Sequence, residues 1–364
     1  MKIAILVKCL TNGGAERVAS LWARGFYEQG HEVCLLLKDP SLPITYVVPN
    51  EVDIVPMGDN NGKMLTGINA DIRLRQVVKS IKPDYLICVL DGEGIHARLA
   101  TLGLGVKVIQ TEHNSFERPE NVAFTFKQKF FKFFCNRFMP AVTVLTQADK
   151  DFIGKRLKNV HVLPNPLAFE PAKSVPPKSN IILAAGRLDA GYTKGFDILL
   201  KAFAKVVPEH NDWQLQIAGG GSTRNTEKYK KMAQELGISS NVRFLGYIMD
   251  VVELYKRSSI FVLSSRYEGF GMVLIEAMSQ GCACIACDYK GRQKEIINSE
   301  EYGIICQPDD IDDLAKAMRK LIESQDEREM IQKHSIERSR CYDISIIMNT
   351  WSNILKIDKD GHNL

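Results

Sequence analysis

Two glutamates in the C-terminal half of the chain, Glu268 and Glu276, stand on either side of a glycine turn. The apolar, β-branched run 260–263 predicts a strand before them, and the residues after Gly271 predict a helix. A strand, a glycine turn and a helix start in this order expose free backbone amides and a partial positive charge. Such a place suits a phosphate or sugar hydroxyls. Since carboxylates repel phosphate, the two glutamates suit hydroxyls on either side of a diphosphate. The alternative is a helix acid and a surface glutamate without a ligand.

Two cations, Arg187 and Lys194, lie at similar places earlier in the same half. Arg187 follows the predicted strand 181–185, and a predicted helix begins near Lys194. Cations fixed at a strand end and a helix start can stabilise negative charge that grows in a transition state. The alternative is a pair of solvated surface cations.

The N-terminal half also has candidate residues at strand ends. Gly14 belongs to a glycine turn that leads into a helix, but the turn lacks G-x-G-x-x-G, which disfavours a dinucleotide cofactor. His113 and Glu112 follow the predicted strand 106–111, and Asp91 follows the predicted strand 85–89. Ligands of open sheets collect at this edge, although a single histidine is often structural.

Glu268 and Glu276, with seven residues between them, resemble the E-x7-E motif of retaining glycosyltransferases of family 4. The resemblance extends over nearly the whole chain. It implies an α/β protein of the GT-B fold, with two facing Rossmann-like domains, a deep cleft and a C-terminal helix that crosses back to the N-terminal domain. It also implies transfer of a hexosyl or N-acetylhexosaminyl unit from a nucleotide sugar, with UDP favoured, to a saccharide or lipid-linked saccharide in surface glycan synthesis.

The resemblance implies a role for each candidate residue. The catalytic residues would be His113, Arg187, Lys194 and Glu268. The donor-binding residues would be Gly14, Gly186, Gly219, Tyr247, Gly269, Phe270, Gly271, Met272, Val273 and Glu276. The acceptor is expected to contact Asp91, Glu112, Lys129 and Lys132. We expect no cofactor and no metal ion, because two cations and a helix terminus would do what Mg²⁺ does in other transferases.

Proline clustering divides the chain. Residues 164–177 contain five of the 14 prolines, which is typical of an interdomain linker. We therefore predict an N-terminal acceptor domain at 1–170, a C-terminal donor domain at 171–340, and a crossover helix and tail at 341–364. Strands alternate with helices in both domains, as a doubly wound sheet requires.

A phenylalanine-rich segment lies at 124–138, where seven of the 16 phenylalanines occur. On a regular helix they share half of the wheel, with Lys129 and Lys132 on the other half. Two interpretations are open. The segment either lies on a membrane surface near anionic headgroups or a lipid diphosphate, or buries its phenylalanines in the N-terminal domain.

Residues 289–295 depart from the glycine-pair-then-Glu pattern common in the family, with Lys290 and Arg292 added. The added charge is one reason to consider an anionic acceptor.

Composition limits the remaining classes. With 364 residues, a net charge of +4 and 45% hydrophobic residues, the chain suits two ordinary globular domains and does not indicate nucleic acid. Nine cysteines without paired spacing favour a reducing cytosol, and the cluster Cys282, Cys284 and Cys287 is expected to be core thiols. We predict a cytoplasmic protein, peripheral on the inner face of the membrane if 124–138 binds lipid. A non-catalytic nucleotide-sugar-binding protein and a dinucleotide oxidoreductase are the alternative functions.

Overall fold

The computed structural model describes residues 1–11, 13–89, 92–248 and 250–359. The chain forms two compact units. Unit 1 consists of Met1–Ala168 and the segment that starts at Asp343, and unit 2 consists of Phe169–Tyr342.

Unit 1 is built on a parallel sheet of seven strands. The strands are β1 (Lys2–Val7), β2 (Glu32–Leu37), β3 (Asp53–Pro56), β4 (Tyr85–Cys88), β5 (Lys107–Thr111), β6 (Ala141–Val144) and β7 (Val160–Val162). Their order is β3-β2-β1-β4-β5-β6-β7, so the order reverses between β1 and β4. Both faces of the central strands are covered, which explains why β1 and β2 are continuous apolar runs. The helices before the linker are α1 (Gly14–Glu28), α2 (Gly67–Ile81), α3 (Glu93–Ala100), α4 (Phe126–Lys129) and α5 (Gln147–Ile153).

Unit 2 repeats this plan with six parallel strands. They are β8 (Ser179–Ala185), β9 (Gln214–Ala218), β10 (Val242–Gly246), β11 (Ser258–Leu263), β12 (Ala283–Cys287) and β13 (Ile304–Cys306), in the order β10-β9-β8-β11-β12-β13. The order reverses between β8 and β11. The helices are α6 (Gly191–Lys194), α7 (Phe196–Ala204), α8 (Thr223–Glu235), α9 (Val252–Arg257), α10 (Met272–Ser279), α11 (Arg292–Ile296), α12 (Ile311–Glu323) and α13 (Gln325–Ser339). Each unit is thus an α/β parallel sheet, and the predicted fold class is confirmed.

The last described helix, α14 (Ile344–Lys359), packs in unit 1. Trp351 is fully buried and meets the ring of Trp22 on α1 edge to face, with centroids 5.1 Å apart. The phenol of Tyr85 donates a hydrogen bond of 2.9 Å to the carbonyl of Leu355. None of the helices in the described part of the chain combines the length and apolar character that a membrane span requires.

The phenylalanine-rich segment is not the single regular helix that its pattern predicts. It begins with α4, capped by a reciprocal pair of hydrogen bonds between Thr125 and Gln128. It continues as a π-helical turn over Phe130–Phe134 and a 3-10 turn over Cys135–Phe138. Because the turns differ in residues per turn, the residues do not keep the positions of a regular helical wheel.

Candidate active site

Three strand ends of unit 2 are joined by backbone hydrogen bonds after β8, β9 and β10. The amide of Gly186 donates to the carbonyl of Ala218 at 2.9 Å, and the amide of Gly219 donates to the carbonyl of Gly246 at 2.8 Å. A Cβ on Gly219 would lie 1.9 Å from the carbonyl oxygen of Gly186, so only glycine fits there. Tyr247 follows directly and is exposed. The predicted donor-side residues Gly186, Gly219 and Tyr247 therefore belong to one strand edge.

Lys194 and Glu268 meet at the same edge, where β8 and β11 end. The ammonium of Lys194 lies 2.6 Å from Oε1 of Glu268, and the hydroxyl of Ser265 donates to the same oxygen at 2.7 Å. The two charged side chains are only 21% and 13% exposed. The pair thus holds a cation in a defined position before any ligand binds.

Arg266 organises the turn that carries Glu268. Its guanidinium makes two hydrogen bonds of 2.8 Å to the carboxylate of Asp197 on α7 and a further ion pair with Asp309. It also lies over the ring of Tyr192, 4.6 Å from the centroid. The role of Arg266 could not be predicted, because nothing in the local sequence identifies partners as distant as Asp197 and Asp309.

Helix α10 begins directly after the glycine turn. Its N-cap is Gly271, and the free amides of its first turn belong to Met272 and Val273. Glu276 is 3% exposed and accepts a hydrogen bond of 3.2 Å from the phenol of Tyr255. Glu276 is therefore oriented by a side chain that sequence reasoning missed.

Arg187 differs from Lys194 in being exposed. Within the described residues its side chain makes no hydrogen bond or ion pair, so the guanidinium is available to an anion.

Residues 289–295 pack against the glycine turn between β11 and α10. The side-chain amide of Gln293 donates to the carbonyl of Phe270 at 3.3 Å. Arg292 is fully buried and donates to the carbonyl of Tyr289 at 3.3 Å. Its charge is thus used inside the unit, and the suggestion that Arg292 meets an anionic acceptor is wrong.

In unit 1, His113 follows β5 as predicted. Its Nε2 lies 3.1 Å from the hydroxyl of Thr111, and its ring lies 5.5 Å from that of Trp22, measured between centroids. Gly14 is the first residue of α1. Strand ends and helix starts of unit 1 therefore carry both predicted residues.

The predicted acceptor-contacting residues differ in their exposure. Glu112 and Lys132 are 1% and 3% exposed and form an ion pair, and Asn136 donates to the same carboxylate at 3.2 Å. Glu112 and Lys132 anchor the phenylalanine-rich segment through this pair, and their contact with an acceptor stays a prediction. Lys129 is exposed, whereas Asp91 lies outside the described residues.

The nine cysteines are unpaired, and eight of them are buried. Cys282, Cys284 and Cys287 lie in or beside β12 with exposures of 1% or less. They are core thiols, as predicted.

Two family models match the chain and together account for most of it. Residues 12–170 match the model described as Glycosyltransferase Family 4. Residues 168–338 match the model described as Glycosyl transferases group 1. The change from one model to the other falls where unit 1 passes into unit 2.

Two curated relatives match along almost their whole lengths. An α-1,4-N-acetyl-D-galactosaminyltransferase of Campylobacter jejuni, whose name gives a diphosphate-undecaprenol-linked saccharide as acceptor, is 28% identical over 98% of each chain. The amylovoran biosynthesis glycosyltransferase AmsD of Erwinia amylovora is 29% identical, over 97% of this chain and 99% of its own.

Solved structures show the same fold at lower identity. A TarM variant of S. aureus in complex with UDP superposes with a TM-score of 0.81 at 14% identity, covering 97% of this chain and 99% of its own. HepE of Anabaena in complex with UDP gives 0.79 at 17% identity, covering 98% and 100%. With one family model in each unit and this fold throughout, the chain belongs to the glycosyltransferases of the GT-B fold, with a family 4 first part and a group 1 second part.

Proposed function

We propose that this glycosyltransferase moves a hexosyl or N-acetylhexosaminyl unit from a UDP-sugar to a saccharide or lipid-linked saccharide in surface glycan synthesis, with retention of configuration. The observation that carries the proposal is the meeting of Lys194, Glu268 and the start of α10 at one strand edge of unit 2. The relatives that act on an undecaprenol-linked saccharide or in amylovoran synthesis support the acceptor class, and the neighbours crystallised with UDP support the donor.

The diphosphate is the group that this edge suits. Arg187 and Lys194 supply two cations, and the first amides of α10 supply hydrogen-bond donors. As the bond between C1 of the sugar and the diphosphate breaks, negative charge grows on the leaving oxygen, and these groups stabilise it without a metal ion.

The two glutamates then serve the neutral parts of the donor. Glu276, oriented by Tyr255, accepts hydrogen bonds from ribose hydroxyls. Glu268 orients the transferred sugar while keeping Lys194 in place. For His113 and Gly14 we propose the catalytic and donor-binding roles that the resemblance implies.

Retention follows from attack on the face that the leaving group departs from. The acceptor hydroxyl oxygen forms the new bond to C1, and UDP leaves with the electron pair of the broken bond. The acceptor's proton passes to an oxygen of the leaving phosphate, so no covalent sugar–enzyme intermediate is needed.

The decisive experiment compares donor hydrolysis by the wild type and Lys194→Ala across a panel of UDP- and GDP-sugars. We expect slow hydrolysis of one UDP-sugar, unchanged by EDTA, and a loss of about 10²–10³-fold in Lys194→Ala. Lys201→Ala, which removes an exposed lysine from the neighbouring helix α7, is the control and should retain the wild-type rate.

Three outcomes would count against the proposal. Preference for a GDP-sugar would overturn the donor, and inversion at C1, read by NMR of the product, would overturn retention. Binding of a nucleotide sugar without turnover, also in the presence of lipid-linked acceptors, would favour a non-catalytic binding protein.

We extend the proposal to the membrane surface on the evidence of an exposed aromatic row. Phe126, Phe130, Phe134 and Phe138 follow one another at intervals of four residues and are 86%, 46%, 45% and 53% exposed. The rings of Phe130 and Phe134 stack with centroids 4.9 Å apart. The row is flanked by exposed cations at Lys127, Lys129 and Arg137. Aromatic rings beside cations suit an interface of acyl chains and anionic headgroups.

Vesicle co-sedimentation tests this membrane contact. Wild-type protein should bind phosphatidylglycerol-containing vesicles more strongly than phosphatidylcholine vesicles, and salt should weaken the binding. The double variant Phe130→Ser/Phe134→Ser should lose binding. The control Ile68→Ser/Ile72→Ser removes two exposed apolar side chains with the same spacing on α2 and should keep it. Equal losses in both double variants would refute a specific role for the aromatic row.

A further inference from the structure

A second polar cluster lies in unit 1, in a pocket of about 190 Å³ that neither the catalytic nor the donor-binding residues line. The pocket opens at the carboxyl edge of the sheet, next to the ends of β1, β2 and β3 and the first turns of α2 and α3. This is the place where the strand order reverses between β1 and β4. Ligands of open α/β sheets bind at such a switch point.

An ion pair crosses this switch point. The ammonium of Lys38, directly after β2, lies 2.5 Å from Oε1 of Glu93 at the start of α3. Their side chains are 21% and 23% exposed, so both can reach a ligand from the pocket wall. Unit 2 has a similar pair of Lys194 and Glu268 at its own reversal of strand order. Each unit therefore presents a lysine and a glutamate where its sheet is built to bind a ligand.

The floor of the pocket is apolar, whereas its wall carries the charged pair of Lys38 and Glu93. Leu6, Met57 and Leu74 line it and are 3%, 5% and 5% exposed. A ligand that fills the pocket must therefore present hydroxyls on one side and an apolar group on the other. A pyranose with the methyl of an acetamido or 6-deoxy group has this division, and its hydroxyls match a carboxylate and an ammonium.

One side of the pocket rim lies next to the exposed aromatic row of Phe126, Phe130, Phe134 and Phe138. His96 lines the pocket, and its ring stacks on Phe131 with centroids 5.9 Å apart and an interplanar angle of 30°. Phe131 belongs to the same π-helical turn as the exposed Phe130 and Phe134. A saccharide in the pocket thus lies beside the surface that would receive a lipid.

We propose that the pocket binds the saccharide unit of the acceptor, and that this unit is a pyranose whose substituent ends in a methyl group, as an acetamido group does. The proposal rests on the proposed function, since an acceptor pocket presupposes a transferase. Lys38 and Glu93 bind the ring hydroxyls, and the aliphatic floor contacts the substituent.

The test measures saccharide binding separately from nucleotide binding, by ligand-observed NMR on the full chain. The probes are the methyl glycosides of N-acetylglucosamine, N-acetylgalactosamine, glucose and galactose. We expect the N-acetylated glycosides to bind more tightly than the plain hexosides. Lys38→Met and Glu93→Gln should each weaken this binding about tenfold, by roughly 1.4 kcal/mol. Unchanged melting temperatures would exclude unfolding as the cause.

A matched ion pair serves as the control. Lys2 and Glu32 are also 2.5 Å apart but lie at the opposite, amino edge of the same sheet. Lys2→Met should leave glycoside binding at the wild-type level. Binding unaffected by Lys38→Met, equal loss in Lys2→Met, equal affinity for plain hexosides, or no binding to the wild type would each overturn the proposal. Failure of the proposed function would instead appear as absent UDP-sugar binding in the wild type, measured independently.

Discussion

At the residue scale, the buried pair of Lys132 and Glu112 yields the sharpest stability prediction. Lys132→Met leaves the Glu112 carboxylate buried without its cation, which typically costs about 3–5 kcal/mol. Lys129→Met, three residues earlier and exposed, should cost less than about 0.5 kcal/mol. Urea unfolding measures both. Similar midpoints for the two variants would show that the pair does not anchor the segment.

The ion pair of Arg266 and Asp197 predicts how the stability of the protein changes in acid. Burial raises the pKa of Asp197, but the hydrogen bonds and charge of Arg266 outweigh it, and the net pKa is lowered from the ordinary value of 3.8. A carboxyl with a lowered folded pKa contributes stability that is complete above pH 3.8 and lost as the pH falls through the folded value.

Asp197→Asn should therefore reduce the unfolding free energy at neutral pH, and the gap to the wild type should narrow in acid below pH 3.8. Urea titrations over this range measure the gap. Asp212→Asn, at an exposed position, is the control and should show a much smaller gap at neutral pH. A gap for Asp197→Asn that does not change with pH would contradict the account.

At the element scale, the junction of α6 and α7 determines where Lys194 lies. Gly195 joins the two helices with a φ of +66°, and a Cβ there would lie 1.9 Å from the carbonyl oxygen of Ser264. Gly195→Ala must push the junction away from the end of β11 and separate Lys194 from Glu268. We expect it to lower donor turnover strongly as well as stability.

Gly237→Ala is the control, because it has the backbone strain of Gly195→Ala without the clash. Gly237 has a similar φ of +72°, but nothing lies within 4 Å of an added Cβ. The substitution should cost about 1–2 kcal/mol from the left-handed backbone alone and should leave donor turnover intact. Equal turnover in the two variants would show that the junction does not position Lys194.

Most strands and helices could be predicted from the sequence, but the side-chain pairs that join them could not. Buried strands such as β1 and β11 are continuous apolar runs, so the strand ends and the candidate residues after them could be located. The edge strand β3 is mostly exposed and lacks this signal, and it was missed. The pair of Lys38 and Glu93 joins the end of β2 to the start of α3, 55 residues apart, and this proximity depends on sheet order rather than on local pattern. The π-helical turn at Phe130–Phe134 likewise shifted Lys132 from the predicted solvent face into the interior.

At the scale of the whole molecule, thiol reactivity reports on both units at once. Burial raises the pKa of Cys34 and of Cys287 to about 12 and that of Cys282 to about 11. Since the thiolate is the reactive form, these thiols should resist labelling while the fold is intact. Cys341 is the exposed one of the nine.

A disulfide reagent at pH 8 should therefore label one thiol quickly in the native protein and nine in urea. Cys341→Ser should remove the fast reaction. Rapid labelling of several thiols in native protein would contradict the packing described here. Because folding raises these pKa values, stability should decline as the pH rises above the ordinary thiol value of 9.0.

The return of α14 to unit 1 has a consequence for biosynthesis. The ribosome makes Met1–Ala168 first, then all of unit 2, and only afterwards the helix that carries Trp351. Trp351 packs on Trp22, which in turn packs on His113. Until synthesis has passed α14, a nascent chain can fold unit 2 as a continuous segment but lacks the support behind this histidine. With the role that we propose for His113, sugar transfer starts only after translation of the chain has passed Trp351.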